Sequence, residues 1–176
     1  NTGDTIYKFD ESAVFIRNIV DDLGNDTIDV SNVEAGSIIN LASGSFSSIG
    51  YRTESETIDL VIQNAIQTAE TTLGRSLTAS EKAGLGASIN DKVTQELNPV
   101  SLYGSALYTG ADNLSIGASV PIENVIGSKF DDVITGNGNA NIFRAGLGSD
   151  VLIGGSSLND SGNDVAIQEY RSELYS

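Results

Sequence analysis

Three residues with oxygen-bearing side chains, Asp132, Asn141 and Asp150, recur every nine positions between Ile126 and Gly155. Each follows a small residue in fixed phase (Gly127, Gly136, Ala145, then Gly154) and precedes an apolar one (Ile134, Phe143, Leu152). Hard oxygens offered at regular intervals from glycine-rich turns suit a hard cation. Calcium takes about six to eight oxygens, carbonyl and carboxylate alike, in a forgiving geometry. Glycines that reach positive φ turn their carbonyls into the gap between stacked turns, and the Asp side chain reaches in from the same turn.

Positioning such residues takes a turn and a short strand per repeat. The phrase matches the nonapeptide G-G-x-G-x-D-x-U-x of a calcium-binding parallel β-roll. Each repeat makes half a coil, so motifs one and three stack on one edge and motifs two and four on the other, with the U residue pointing into a flat core. The candidate calcium ligands of the roll are Ser128, Phe130 and Asp132 in the first turn, Asn137, Asn139 and Asn141 in the second, and Ala145, Leu147 and Asp150 in the third. The fourth begins at Gly154 and Gly155 and resumes at Gly162 and Asp164 after five extra residues. Phe130 stands where glycine is expected and is a poor occupant of a left-handed turn; Asn139 tolerates that conformation, and Asn141 offers a neutral ligand. Gly, Asn and Asp also punctuate ordinary surface hairpins. Three phased copies and an interrupted fourth favour the calcium reading.

With 176 residues the chain fits one domain, or one domain with a sizeable insertion. Nine basic against 24 acidic residues leave a net charge of −15, with no histidine. Nucleic acid and anionic membrane are therefore poor partners, whereas cations are welcome. No cysteine is available for disulfides or thiolate metal sites. No apolar run is long enough to span a bilayer. The opening Asn1-Thr-Gly-Asp-Thr-Ile-Tyr-Lys-Phe reads as the middle of a motif, so the chain is expected to be a piece of a larger protein.

The first fifty residues alternate as strands do, at Thr5–Phe9, Val14–Ile16, Asp26–Val30 and Ser37–Leu41, and predict an all-β ladder leading into the roll. Four segments, Asn1-Thr-Gly-Asp-Thr-Ile-Tyr-Lys-Phe, Val20-Asp-Asp-Leu-Gly-Asn-Asp-Thr-Ile-Asp-Val-Ser, Ile39-Asn-Leu-Ala-Ser-Gly-Ser-Phe-Ser-Ser-Ile-Gly and Val120-Pro-Ile-Glu-Asn-Val-Ile-Gly, resemble successive parts of the C-terminal domain of serralysin-type metalloproteases, in the same order. The resemblance covers residues 1–50 and about 114–167. It implies a β-roll domain secreted through a type I exporter, with a calcium site tying the first coil to the strands before it. Carried over by position, that site would use backbone oxygens of Asn1, Gly3, Leu23, Gly24 and Pro121 with side chains of Thr5, Asp21, Asp26 and Glu123. Family members usually carry arginine at position 1, glycine at 23 and threonine at 121, so one hydroxyl would be lost at Pro121. Without the resemblance, Asp21 and Asp26 also read as capped-turn residues needing no ion.

Residues 51–113 depart from that family. Ile58, Ile62, Ala65, Ala69 and Leu73 recur at helical spacing and stop at Gly74. Thr78-Ala-Ser-Glu81 is a capping box, followed by Leu85, Ile89, Val93 and Leu97 until Asn98-Pro99. The expected fold is thus mainly β: a β-ladder over 1–50, an inserted α-helical hairpin over 51–113, a calcium-binding parallel β-roll over 114–167, and over 168–176 the start of a following strand or domain. Ser101–Gly110 is expected to return to the ladder as strand or loop.

Zinc proteolysis needs histidines the chain lacks, and there is no G-x-S-x-G elbow, P-loop or cysteine nucleophile. The expected role is non-catalytic: calcium-dependent folding and secretion of a larger protein, with calcium ions, the other domains of the parent chain and a type I secretion machinery as partners. An adhesive or carbohydrate-binding module is the alternative, weakened by the absence of tryptophan and only 6% aromatics. A substrate-binding domain would need a catalytic partner elsewhere.

Overall fold

A computed structural model describes residues 3–10, 15–21, 23–96, 109–155 and 164–168. The chain forms two compact units, residues 1–51 with 110–176, and residues 52–109.

The first unit is built from strands β1 (Ile6–Asp10), β2 (Arg17–Ile19), β3 (Thr27–Asn32), β4 (Ile38–Asn40), β5 (Phe46–Ser47), β6 (Leu114–Ile116), β7 (Asn124–Ile126), β8 (Val133–Thr135), β9 (Ile142–Gly146), β10 (Val151–Ile153) and β11 (Val165–Gln168). Five of them form an all-parallel sheet in the order β1-β3-β7-β9-β11, and a second parallel sheet runs β10-β8-β4. A third sheet, β2-β6-β5, pairs β2 with β6 in parallel and β5 with β6 antiparallel. The fold is therefore sheet-rich, with mostly parallel strands and two helices among the described residues.

Register follows the apolar pattern. Ile39, Ile134 and Leu152 lie opposite one another in the three-stranded sheet. Tyr7, Ile28, Val125, Phe143 and Ala166 do so in the five-stranded one. Ile28, Ile39, Val125, Ile134 and Phe143 belong to one buried cluster, with Tyr7 and Leu152 packed against it. Each fully buried side chain of this kind contributes about 1.5–3 kcal/mol, and a one-residue slip would expose the whole row.

The strand expected at Val14–Ile16 is instead β2, three residues later. Val14 lies outside the described residues; Ile16 is 88% exposed whereas Ile19 is 1% exposed. Pairing of β2 with β6 puts Ile19 opposite Ile116, so the core selects the later residue.

The second unit holds α1 (Glu54–Leu73) and α2 (Ala79–Glu96). A capping box at Thr53 and Glu56 starts α1, and Gly74, at φ +65°, ends it. The Thr78–Glu81 box starts α2: the Thr78 N–H donates to Glu81 Oε2 at 2.8 Å, and the Glu81 N–H donates to Thr78 Oγ1 at 3.3 Å. Ile66 is the buried residue of α1, while Leu73 is 55% exposed, so the apolar stripe drifts off the expected line at its end. Gly86 on α2 faces Ile62, and Lys82 pairs with Glu70 at 2.9 Å. Leu97, Asn98, Pro99 and residues 101–108 lie outside the described residues. No helix among those described is long and apolar enough to cross a membrane.

Residues 51 and 110 are held close to each other's neighbours. The Asn113 amide accepts the Ile49 N–H at 2.8 Å and donates to the Ile49 carbonyl at 2.9 Å.

Candidate functional site

Parallel pairing with matched registers brings the residues leading into the strands into two columns. Thr5, Asp26, Glu123, Asn141 and Asp164 precede β1, β3, β7, β9 and β11; Ser37, Asp132 and Asp150 precede β4, β8 and β10. A common hydrogen-bond rule links them. Each acid accepts the backbone N–H of the residue before it in its column: Thr5 N–H to Asp26 Oδ1 at 2.8 Å, Asp26 N–H to Glu123 Oε2 at 2.8 Å, and Asn141 N–H to Asp164 Oδ1 at 3.0 Å. In the other column the Ser37 N–H donates to Asp132 Oδ1 at 2.7 Å and the Asp132 N–H to Asp150 Oδ1 at 3.0 Å.

The second carboxylate oxygens differ. Asp132 Oδ2 accepts the Ser128 N–H and Oγ–H at 2.7 and 3.0 Å. Asp26 Oδ2 and Asp150 Oδ2 are buried and have no hydrogen-bond partner. Leaving such an acceptor unsatisfied costs about 1–3 kcal/mol, more when it is charged.

The acidity of the columns reflects this. Burial foremost raises the pKa of Asp26, Asp132, Asp150 and Glu123. Neighbouring carboxylates add to it: Asp21 and Asp4 beside Asp26, Asp150 beside Asp132, Asp131 beside Asp150, and Asp26 and Asp4 beside Glu123. Asp21, 1% exposed, accepts the Tyr7 hydroxyl, whose pKa burial and this carboxylate push to about 12.

Main-chain carbonyls face the glycines of the adjoining turns. A Cβ on Gly146 would collide with the Ser128 carbonyl oxygen, one on Gly127 with that of Ala145, and one on Gly155 with that of Asn137. A Cβ on Gly148 would lie 2.7 Å from the Phe130 carbonyl oxygen, and one on Gly24 2.7 Å from that of Gly3. Leu147 donates its N–H to the Ser128 carbonyl at 3.1 Å. Gly154 sits against Asp164, where an added Cβ would approach Oδ2 to 2.6 Å.

Gly146 and Gly148 of the third turn hold positive φ, +89° and +126°. Phe130, which stacks on Gly148, does not, and neither does Asn139. Phe130, a poor occupant of a left-handed turn, takes another backbone, as does Asn139, and the left-handed pair belongs to the third turn. Lys129 lies over the Phe130 ring at 5.3 Å and pairs with Glu34 at 2.6 Å, so this turn is anchored from outside.

Around the expected junction site, Glu123 meets Asp26 directly, and Thr5 donates its hydroxyl to the Gly3 carbonyl at 3.1 Å. Leu23 is exposed. Asn1 and Gly162 lie outside the described residues. Among the described residues, no group of three or more Asp or Glu side chains gathers as a metal cluster. An ion in these turns would be held by main-chain carbonyls with one or two carboxylates.

Sequence reasoning missed Ser37, Asp4 and Tyr7, and the partner of Asp131. Asp131 accepts the Ser149 N–H at 2.8 Å, a spacing of 18 that the repeat could have revealed. Ser37 carries no repeat signal. No family model and no characterised protein matches the chain.

Proposed function

We propose that this chain is a calcium-binding parallel β-roll module of a larger secreted bacterial protein, similar to the C-terminal domain of serralysin-type metalloproteases and without catalysis of its own. The observation that carries the reading is the pair of buried carboxylate oxygens, Asp26 Oδ2 and Asp150 Oδ2, that no donor meets. Both lie in stacked turns whose carbonyls crowd the same gaps. When bound there, calcium would supply the missing countercharge and join adjoining turns through oxygens of both.

The chain's own residues account for the rest. Asp26, Asp132 and Asp150 use one oxygen to fix the turn before them, which orients the second. Glycines at 24, 127, 146, 148 and 155 let the backbones approach. At a net charge of −15 the carboxylates repel, so the module is loose without a cation. Extracellular calcium modules bind at roughly 10⁻⁴–10⁻³ M, concentrations found outside the cell. The module thus passes a type I exporter unfolded and folds on emergence.

Titrating calcium into chelated protein while following far-UV circular dichroism tests this. Gain of β signal and of thermal midpoint is expected. An unchanged spectrum and midpoint with and without chelator would refute it.

A further inference from the structure

One joint in the longer column is built differently from its neighbours. Between the turn 118–123 and the turn 136–141 the residue at the acid position is Asn141, which is fully buried. Its Oδ1 accepts the Asn137 N–H at 2.9 Å, and its Nδ2 donates to the Glu123 carbonyl at 3.1 Å and to Asn137 Oδ1 at 3.2 Å. Asn137 repeats the arrangement. Its Oδ1 also accepts the Asn139 N–H at 3.0 Å, while its Nδ2 donates to the Ile122 carbonyl at 2.7 Å and the Leu41 carbonyl at 3.1 Å. The amide orientations are fixed, because flipping either would set oxygen against carbonyl oxygen and nitrogen against N–H.

We infer that this gap is closed by the amides of Asn137 and Asn141 in place of a cation. Three carbonyls from two segments, Leu41 on one and Ile122 and Glu123 on the other, converge on two NH₂ groups, which do the bridging an ion would otherwise do. A second observation agrees: the cleft of about 560 Å³ beside Asn137 and Asn139 is lined by amides, hydroxyls and small residues such as Asn40, Ser43, Ser119 and Thr135, with no carboxylate to hold a divalent ion. The inference deepens the calcium reading and rests on it for the other gaps. It makes the centre of the column a permanent joint, formed before any ion binds.

The test compares Asn141→Asp and Asn137→Ala with the wild-type chain by calorimetric counting of bound calcium and by melting in chelator and in excess calcium. Asn141→Asp places an oxygen against the Glu123 carbonyl. It is expected to melt several degrees below wild type in chelator, to recover in calcium, and to bind one more ion per chain. Asn137→Ala is expected to lower the midpoint equally with and without calcium and to leave the ion count unchanged. An Asn141→Asp chain that binds the wild-type number of ions, only more tightly, would overturn the inference, as would an Asn137→Ala chain that loses an ion. Should Asn137→Ala fail to fold, the ion count of Asn141→Asp decides. A wild-type chain that takes up no calcium would instead sink the calcium reading; the amide joint then stands if both variants lose stability in chelator and falls if neither does.

Discussion

Asp150→Asn should change stability in opposite directions depending on calcium. Asp150 Oδ1 accepts the Asp132 N–H at 3.0 Å, which an asparagine oxygen preserves, and the buried, unpartnered Oδ2 becomes an uncharged NH₂. In chelator the substitution removes a buried charge lacking a partner and its repulsion from Asp131 and Asp132. The gain is about 1 kcal/mol, the lower end of the cost of an unsatisfied acceptor. In calcium a ligand is lost. A site with a dissociation constant of about 10⁻⁴ M contributes about 2.7 kcal/mol at roughly 10 mM calcium. Weakening it about a hundredfold leaves about 0.4 kcal/mol, a loss of about 2.3 kcal/mol that the gain of about 1 kcal/mol partly offsets, so the net loss of about 1.3 kcal/mol lowers the midpoint by roughly 3–5 °C. Differential scanning calorimetry of both proteins, in chelator and in 10 mM calcium, reads the four midpoints. Equal shifts of the same sign in both conditions would refute the reasoning, since Asp150 would then be a structural residue only.

Chelated protein should be more stable near pH 5 than near pH 7. The raised pKa values of Asp26, Asp132, Asp150 and Glu123 mean that the folded state binds more protons than the unfolded one, so stability falls as pH rises through them; urea midpoints rising with pH would contradict this. Gly146→Ala should destabilise by at least roughly 1–2 kcal/mol with or without calcium, because φ is +89° and the Cβ meets the Ser128 carbonyl; an unchanged midpoint would show that the third turn relaxes. Replacing residues 52–109 by a short Gly/Ser linker should leave calcium-dependent folding intact, and failure to fold in excess calcium would make the helices part of its core.

The nine-residue phase made the strands from β7 onward legible, together with their stacking partners, because period and burial coincide at Ile134, Phe143 and Leu152. The two helices are legible from their stripes and from Gly74, whereas the Thr53 box shows only in the structure. What the sequence concealed were contacts set by register between distant strands. Ser37 precedes β4 without any oxygen-rich motif, yet pairing of β4 with β8 places its N–H on Asp132. In the sequence Tyr7 is a strand residue and nothing more; only the buried position of Asp21 gives its hydroxyl a role. Asn141 read as a weak acid substitute, since residue type alone does not reveal which carbonyls its amide meets.

Loop length sets what each joint costs to close. Asn141 meets Glu123 across 18 residues, and Asp150 meets Asp132 across 18. Glu123 meets Asp26 across 97, and Asp132 meets Ser37 across 95. Closing the longer loops costs about 1.5 kcal/mol more in chain entropy. Carboxylates stand at both ranges, Asp150 at a short joint and Asp132 and Glu123 at the long ones, so only at the long ones must a cation also offset the larger cost of closure. Both long loops contain residues 52–109, and the hydrogen bond from the Arg52 N–H to the Thr109 carbonyl, 2.9 Å, brings the ends of that segment together. Excising it more than halves both loops and returns about 0.8 kcal/mol. On the calcium reading, the shortened chain should therefore fold at a calcium concentration several-fold below that of the full one. A titration midpoint that stays in place would mean that the helices already hold the loop ends together before any ion arrives.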